Sequence, residues 1–572
     1  MQTDTAAPIS IPSRLQRALR MLIPYFIAPG KGKVWLLLAV LTFLIFIQGV
    51  IFQYPTNLQG AMMDALREKK VMAFHSEIVR YACWMILYAL VVAISSYSND
   101  VFILLWRRWI TRSMSDQYFR KNNYYKLNSL QDLDNPDQRI TQDISSYTSG
   151  VMGIYIACAL TPSVMIVSSM NIWKISHTLV FILWIASIVQ LVIALKGFGK
   201  PLSRLNYMQL RYEAIFRSGL ARIRENAEAI AFYRGEAQET ASINTKFQNV
   251  YANQKKIVFV NGFGLFLFND LFGNYPFMLC VLFLLPALLA GHISPGTFTN
   301  ALSFSSQLGG TLTTFPNLIM SFSTLSASTL RLEQLRDAMD KAELDSAAHP
   351  GPDVVNGEAI AVKHLNIQTP NHATTLVQDL TFRVKQGESI LIMGETGCGK
   401  SSLLRVIAGI WSSATGEVER PDSSKLHFIP QKPYMPPGDL RTQLIYPDLH
   451  KQLPDEVISR ALLSVGLPDL IEHWGGLDSV HDWGTVLSPG QQQRIAFARV
   501  LVTKPQYVIL DEATSALDVP NERMLYSLLK QAGMTLISVA HRPTVAEFHE
   551  YILQMQSGEW SIGNSLKLEE QI

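Results

Sequence analysis

Long apolar runs dominate the first 340 residues of the chain, whereas short β-rich runs separated by polar turns dominate the rest. Six apolar runs, at residues 34–52, 78–105, 151–173, 178–195, 259–290 and 297–322, are each of the order of the ~20 residues that a helix needs to cross a hydrocarbon core. Asn269, Asp270 and Asn274 interrupt the fifth run, and the sixth is rich in Ser, Thr and Gly. A polar face of that kind suits a helix lining a water-filled path. Ahead of the first run, Leu15, Leu19, Leu22 and Ile23 share one helical face and Arg14, Arg17 and Arg20 lie off it. That segment, residues 13–25, reads as an amphipathic helix in the headgroup layer or against protein. The first apolar run itself is expected to be a retained span rather than a cleaved leader.

Basic residues orient the spans. Lys31 and Lys33 precede the first, Arg107, Arg108, Arg112, Arg120, Lys121 and Lys126 follow the second, and Lys200, Arg204, Arg211, Arg217, Arg222 and Arg224 follow the fourth. The connections between runs three and four, and five and six, are short and nearly uncharged. Both termini are therefore expected in the cytoplasm, with the charged stretches after spans two and four continuing there as helices.

The texture changes near residue 341. Pro- and Gly-containing sequence across 341–358 reads as a linker, and beyond it strands alternate with helical patterns, the signature of an α/β domain with a mostly parallel sheet. The predicted architecture is multidomain: an interfacial segment 1–33, an all-α six-helix transmembrane domain 34–340, the linker, and an α/β P-loop ATPase domain 359–572. Composition agrees, because only 17% of residues are charged against about 25% in soluble domains. A net charge of +3 offers no argument for nucleic acid as a partner. Cys83, Cys158, Cys280 and Cys398 are scattered without metal-ligand spacing; the first three are expected to pack as small hydrophobes in membrane helices.

Chemistry concentrates in the second half. Gly394-Glu395-Thr396-Gly397-Cys398-Gly399-Lys400-Ser401, followed by Ser402, fits GxxxxGK[ST] between a predicted strand and a predicted helix. Its glycines let backbone N–H groups wrap a phosphate chain at a helix N-terminus, Lys400 can reach the terminal phosphates, and the Ser401 hydroxyl can ligate Mg²⁺. A buried strand ending in Asp511-Glu512 delivers two carboxylates where α/β sheets place ligands. Asp511 suits the metal's coordination shell and Glu512 the attacking water, since phosphoryl transfer needs mainly positioning and charge stabilisation. Cys398, beside a helix N-terminus and Lys400, is expected to react readily with alkylating reagents.

Several further segments carry a family resemblance. Leu487-Ser488-Pro489-Gly490-Gln491-Gln492-Gln493-Arg494 resembles the ABC signature LSGGQ with proline in third place; Phe428-Ile429-Pro430-Gln431 resembles the Q-loop, Ser515-Ala516-Leu517-Asp518 the D-loop, and Val539-Ala540-His541-Arg542 contains the switch histidine. The resemblance implies an ABC ATPase using ATP and Mg²⁺. In it Glu512 is the base, Gln431 contacts metal and water, and His541 holds the γ-phosphate, while Ser488, Gly490 and Gln491 cap the phosphate bound by an opposite subunit. One glycine loop and one signature per chain then imply a dimer, a homodimer or a heterodimer with a paralogue. The family commonly stacks adenine on an aromatic upstream of the glycine loop, where this chain has Thr369. GTP is therefore expected to compete better than in tyrosine-bearing relatives.

In the membrane half, Trp106-Arg107-Arg108-Trp109, Asn135-Pro136-Asp137-Gln138-Arg139-Ile140-Thr141-Gln142-Asp143 and Glu228-Ala229-Ile230-Ala231-Phe232-Tyr233-Arg234-Gly235-Glu236 are similar to segments of the SbmA/BacA-like transporters and of the peroxisomal D subfamily, as is Arg441-Thr442-Gln443-Leu444-Ile445-Tyr446-Pro447. The resemblance implies an ATP-driven importer of a bulky hydrophilic solute in a bacterial inner membrane, or less readily a peroxisomal one. The rivals are an exporter or flippase of lipids or acyl-CoA, and an ATP-gated membrane protein that does not pump. A soluble ABC ATPase is disfavoured by the six apolar runs. Residues 135–143 are a candidate docking element toward the nucleotide domain. Asp100 and Asp270, near or within spans, are candidate functional carboxylates.

Overall fold

The computed structural model describes residues 21–564 except 22, 28–31, 129–134, 313–314, 349–350, 371–372, 449 and 557. Residues 13–20 and 22 of the expected amphipathic segment, and Lys31, lie outside the described residues. The chain falls into two compact units, Met1–Asp340 and Lys341–Ile572.

The first unit is helical. Gly32–Ile51 turns at Phe52 and Gln53 into Tyr54–Arg67, and Val71–Phe119 is one helix of 49 residues. At 1.5 Å per residue that helix is about 74 Å long, more than twice the ~30 Å of a hydrocarbon core, so much of it must project beyond the lipid. Its uninterrupted course carries Arg107, Arg108 and Arg112. Ile144–Trp173 and His177–Ala194 follow; the latter runs through a wider turn, Leu195–Gly199, into Lys200–Glu225. Glu236–Ile257 leads by another wide turn into Phe266–Gly273 and Tyr275–Leu289. Among the described residues, five stretches are long and apolar enough to cross a membrane: Gly32–Arg67, Val71–Leu127, Pro136–Trp173, His177–Glu225 and Glu236–Leu289. The run 297–322 falls on Pro295–Leu312 and the start of Phe315–Ala348 and is not among these five.

Apolar side chains face both ways in this unit, for a reason of solvent: Leu41, Ile45 and Phe102 are buried in its core. Large apolar side chains such as Leu36, Phe43, Phe46, Ile86 and Ile185 stand on the outside, while Gln53, Thr56 and Ser168 are buried. Gln53 Nε2 donates to Ser168 Oγ at 3.0 Å, Ser168 Oγ to Gln307 Oε1 at 3.4 Å, and Gln307 Nε2 to Thr56 Oγ1 at 3.1 Å. Without water, neutral polar groups must satisfy one another. The helix Pro295–Leu312 is held likewise at its start, where Asp64 accepts from Ser294 Oγ at 2.8 Å and from the Gly296 N–H at 2.7 Å. A Cβ on Gly296 would lie 2.2 Å from the Gly60 carbonyl oxygen, so only glycine permits that approach. Within the sixth run, Gln307 is the group that these bonds tie to neighbouring helices, through Ser168 and Thr56.

The Trp106 of the membrane motif is fully buried, stacked at 5.9 Å on Tyr25 and edge-on to Tyr147 at 5.4 Å. Asn135 takes a left-handed conformation before the short helix Pro136–Gln138, and Arg139 then reaches the helix Phe315–Ala348, donating to the Arg331 carbonyl at 2.8 Å. Asp143 pairs with Arg331 at 3.0 Å. The segment 135–143 is thus clasped within its own unit.

Among the described residues of the second unit, ten strands form two sheets. The strands are β1 (Asp353–Asn356), β2 (Ile360–Gln368), β3 (Thr375–Val384), β4 (Ile390–Gly394), β5 (Ala414–Arg420), β6 (Leu426–Ile429), β7 (Tyr507–Asp511), β8 (Thr535–Val539), β9 (Tyr551–Gln556) and β10 (Glu559–Asn564). The order β10-β9-β4-β8-β7-β6 is parallel except at β10, and β1-β5-β2-β3 is antiparallel except at β1. Sequence patterning predicts the first sheet; the second departs from a parallel expectation because β2 and β3 join as a hairpin. Residues 341–358, expected as a linker, include the end of the helix Phe315–Ala348 and all of β1.

Alternate residues of β7 serve two cores. Val508 and Leu510 pack with Ile495 and Phe497 of the helix Pro489–Thr503 and with Leu525 and Tyr526 of Val519–Gln531. Tyr507 and Ile509 pack with Leu403 and Ile407 of the helix Lys400–Ala408. A strand covered on both faces reads as a continuous apolar run, as Tyr507–Leu510 does.

Candidate nucleotide site

The glycine loop leaves β4 and enters the helix Lys400–Ala408. Gly394, Gly397 and Gly399 have φ of 150°, 88° and 103°, a region that side chains disfavour. At Gly394 space is also decisive, since a Cβ there would lie 2.1 Å from the Met555 carbonyl oxygen. Lys400 is buried, and its Nζ donates at 2.8 Å to each of the Gly394 and Glu395 carbonyls, so the ammonium sits inside the loop. Ser401 Oγ donates to Asp511 Oδ1 at 3.0 Å. Burial holds the Asp511 carboxyl above its ordinary range, with the Glu512 charge adding to the effect and the Ser401 bond opposing it. Ser401, Asp511 and the Gln431 amide are hard oxygen donors. Such a set suits Mg²⁺, which fills its remaining positions with phosphate and water oxygens.

Glu512 is the hub. It has φ of +48°, a left-handed conformation costly for a side-chain-bearing residue. Two backbone bonds hold it: its N–H donates to Val539 O at 2.9 Å, and its carbonyl accepts from Ser515 N–H at 3.1 Å. The carboxylate receives Gln431 Nε2 on one oxygen and faces His541 Nε2 with the other, each at 3.0 Å. Residues from three separated strand ends thus converge on one carboxylate at the C-terminal edge of the sheet.

Ser488 caps the helix Pro489–Thr503 in a reciprocal box, accepting from Gln491 N–H at 3.3 Å while Gln491 Oε1 accepts from Ser488 N–H at 2.9 Å. Proline in the third signature position is the first helical residue, where its fixed φ and missing N–H cost nothing. Among the described residues, neither Ser488 nor Gln491 hydrogen-bonds the loop 394–401. Thr396 and Ser402 belong to the loop and its helix, and Ser402 is buried. Cys398 is half-buried and packs beside the apolar residues under the loop. Thr369 closes the β2–β3 hairpin through its N–H to Thr374 O at 2.9 Å; Leu376, just beyond, approaches to 3.2 Å of where a Gly399 Cβ would stand.

Arg499 and Glu522 are buried residues that a motif-based reading misses, and Gln493, inside the signature-like segment, is one to which it gives no role. Gln493 and Arg499 lie on the helix Pro489–Thr503, and Arg499 donates to Gln443 O at 2.8 Å and Tyr434 O at 3.2 Å. Glu522 accepts from Thr514 Oγ1 at 2.6 Å and Thr544 Oγ1 at 2.8 Å, tying the segment after Glu512 to the one after His541. A signal for Glu522 exists: it shares the apolar stripe of its helix with Leu525, Tyr526 and Leu529. Of the candidate membrane carboxylates, Asp100 is exposed beside Asn99 Nδ2 at 3.2 Å. The Asp270 carbonyl accepts from Asn274 Nδ2 at 2.9 Å.

Comparison with known proteins accounts for this arrangement. A family model described as ABC transporter transmembrane region 2 matches residues 21–285, and one described as ABC transporter matches residues 377–515. The chain is 38% identical to an uncharacterized ABC transporter ATP-binding protein, sll0182, of Synechocystis sp., over 92% of this chain and 81% of that protein. It is 30% identical to the chloroplastic ABC transporter D family member 2 of Arabidopsis thaliana, over 94% and 85%. With the lysosomal cobalamin transporter ABCD4 of Homo sapiens it is 29% identical over 96% of each. The solved structure of a bacterial Atm1-family ABC exporter with ATP bound shares the fold at a TM-score of 0.72 and 17% identity, over 95% of this chain and 96% of that one. The chain belongs to the ABC transporters, as an integral-membrane half-molecule whose transmembrane region is fused to one ATPase domain that hydrolyses ATP with Mg²⁺.

Proposed function

We propose that two copies of this chain form a homodimeric importer of a bulky hydrophilic solute, peptide-like or cobalamin-like, in a bacterial inner membrane. Each copy contributes six spans and keeps its termini and ATPase domain in the cytoplasm. Each nucleotide site combines the loop 394–401 of one protomer with Ser488, Gly490 and Gln491 of its partner. Backbone N–H groups of the loop and Lys400 bind the phosphates. When bound, Mg²⁺ neutralises phosphate charge from a position beside Ser401, Asp511 and Gln431. Glu512 takes the proton of the attacking water, Gln431 orients that water, and His541 steadies the γ-phosphate. ATP binding favours the clamped dimer and hydrolysis releases it, which is differential binding to two states.

The observation that supports the cargo class is the match over 96% of both chains to a relative that bears the name of a cobalamin transporter. Reconstitution in vesicles with the ATPase domain inside tests the reading. Cobalamin or a hydrophilic peptide added outside is expected to accumulate inside on ATP hydrolysis. ATP-driven movement of lipid or acyl-CoA outward would replace it by an exporter, and unchanged transport in Glu512→Gln by an ATP-gated passage.

A further inference from the structure

Gln493 joins elements that the family motifs treat separately. It stands one turn beyond Gly490 in the helix Pro489–Thr503 and is only 2% exposed. Its amide nitrogen donates to the Gln431 carbonyl at 3.3 Å and to Ser515 Oγ at 3.2 Å, and its amide oxygen accepts from the Ala516 N–H at 3.1 Å. All its principal bonding capacity goes to two other segments. Each of these leads directly to Glu512: the Gln431 side chain donates to the Glu512 carboxylate at 3.0 Å, and the Ser515 N–H donates to the Glu512 carbonyl at 3.1 Å. Gly490 faces the same strip of backbone, for a Cβ there would meet Ala516 O at 3.3 Å. The signature tip and the hydrolytic carboxylate of one protomer are therefore held in register by a single buried amide.

We infer that Gln493 is a positioning residue that couples the two nucleotide sites of the dimer. This rests on the homodimeric reading, in which Ser488 and Gly490 serve the partner's nucleotide while Gln431 and Glu512 serve their own. A shift of Gln431 or of 515–516 on nucleotide binding moves the Gln493 amide, and with it the first turn of the helix that presents Gly490 across the interface. The buried amide cannot exchange its partners for water, so the three segments move together or leave polar groups unpaired. A residue that merely filled space could be replaced by any side chain of equal volume.

Gln493→Met keeps that volume and removes all three hydrogen bonds. In full-length protein in nanodiscs, the variant is expected to bind a fluorescent ATP analogue within about twofold of the wild type and to keep its thermal midpoint within a few degrees. Its kcat is expected to fall about tenfold, equivalent to ~1.4 kcal/mol in barrier, and its Hill coefficient for ATP to drop from above one in the wild type to one. Wild-type cooperativity retained in the variant overturns the coupling, whatever happens to kcat. So does a wild type that hydrolyses ATP without cooperativity, although the transporter reading then stands. A wild type that forms no dimer with ATP overturns the homodimeric reading and the coupling together. Should Gln493→Met unfold, Ser515→Ala, which removes one partner from the surface of the same bridge, is expected to lower the Hill coefficient while leaving analogue binding intact; an unchanged coefficient overturns the proposal.

Discussion

The two units of this chain bury polar groups under opposite constraints. In the nucleotide unit the buried and half-buried polar groups converge on charge: Lys400 inside its loop, Asp511 beside Ser401, and Glu512 between Gln431 and His541. In the membrane unit Gln53, Thr56, Ser168 and the half-buried Gln307 bond to one another without charge, and the buried charges Arg139 and Asp143 are spent on holding the helix Phe315–Ala348. Charge chemistry at a phosphate admits few residue types at few spacings, so it leaves a motif. Mutual satisfaction among amides and hydroxyls admits many, so it leaves none. The comparison teaches why the reaction of this protein is readable and its cargo is a proposal.

The comparison breaks most decisively at Glu512. Glu512→Gln preserves shape and can still accept from Gln431, but it cannot take a proton; kcat for ATP is expected to fall on the order of 10³-fold with nucleotide binding kept. Hydrolysis near the wild-type rate would take Glu512 out of the chemistry and remove the contrast with the neutral set around Gln307.

A smaller effect follows from pH. His549 is buried, its Nδ1–H donating to Val545 O at 2.9 Å and its Nε2 accepting from Ser538 Oγ at 2.8 Å. Burial, with the Lys530 charge adding to it, lowers its pKa to about 4. The unfolded chain takes up this proton near pH 6.5 and the folded one does not until about pH 4. Stability is therefore unaffected by this group above that window and falls as pH falls through it, by about 3 kcal/mol in total. Thermal unfolding between pH 7 and pH 4.5 measures this, and His549→Gln should flatten the profile.

Removing a buried anchor comes next. Glu522→Ala strands the hydroxyls of Thr514 and Thr544 and loosens Arg542, which lies 3.8 Å from the carboxylate. A loss of about 2 kcal/mol is expected, read as an earlier unfolding transition of the nucleotide unit.

The smallest change sharpens the neutral side. Gln307→Leu deletes the bonds to Thr56 and Ser168 and should cost about 1 kcal/mol, since polar pairs between membrane helices contribute little each. Basal ATPase should stay within about twofold while solute uptake changes, the ratio of the two being the measurement. Equal loss of both would mean that the membrane interior and the hydrolytic site share more than this contrast allows.

The sequence alone determined the division into an apolar helical half and an α/β half, because hydrophobic runs and their periods follow from which solvent each residue meets. It also determined the nucleotide loop and the Asp511-Glu512 pair, whose residue types the chemistry restricts. Tertiary structure decided what depends on partners distant in the chain. It set the second, largely antiparallel sheet, and it joined Gln307 of the sixth run to Thr56 and Ser168 of other helices. It clasped residues 135–143 to Arg331, and it placed Gln493 across two segments that no spacing links. A hydrogen bond between remote residues carries no period or local composition, so only folding reveals which donor meets which acceptor.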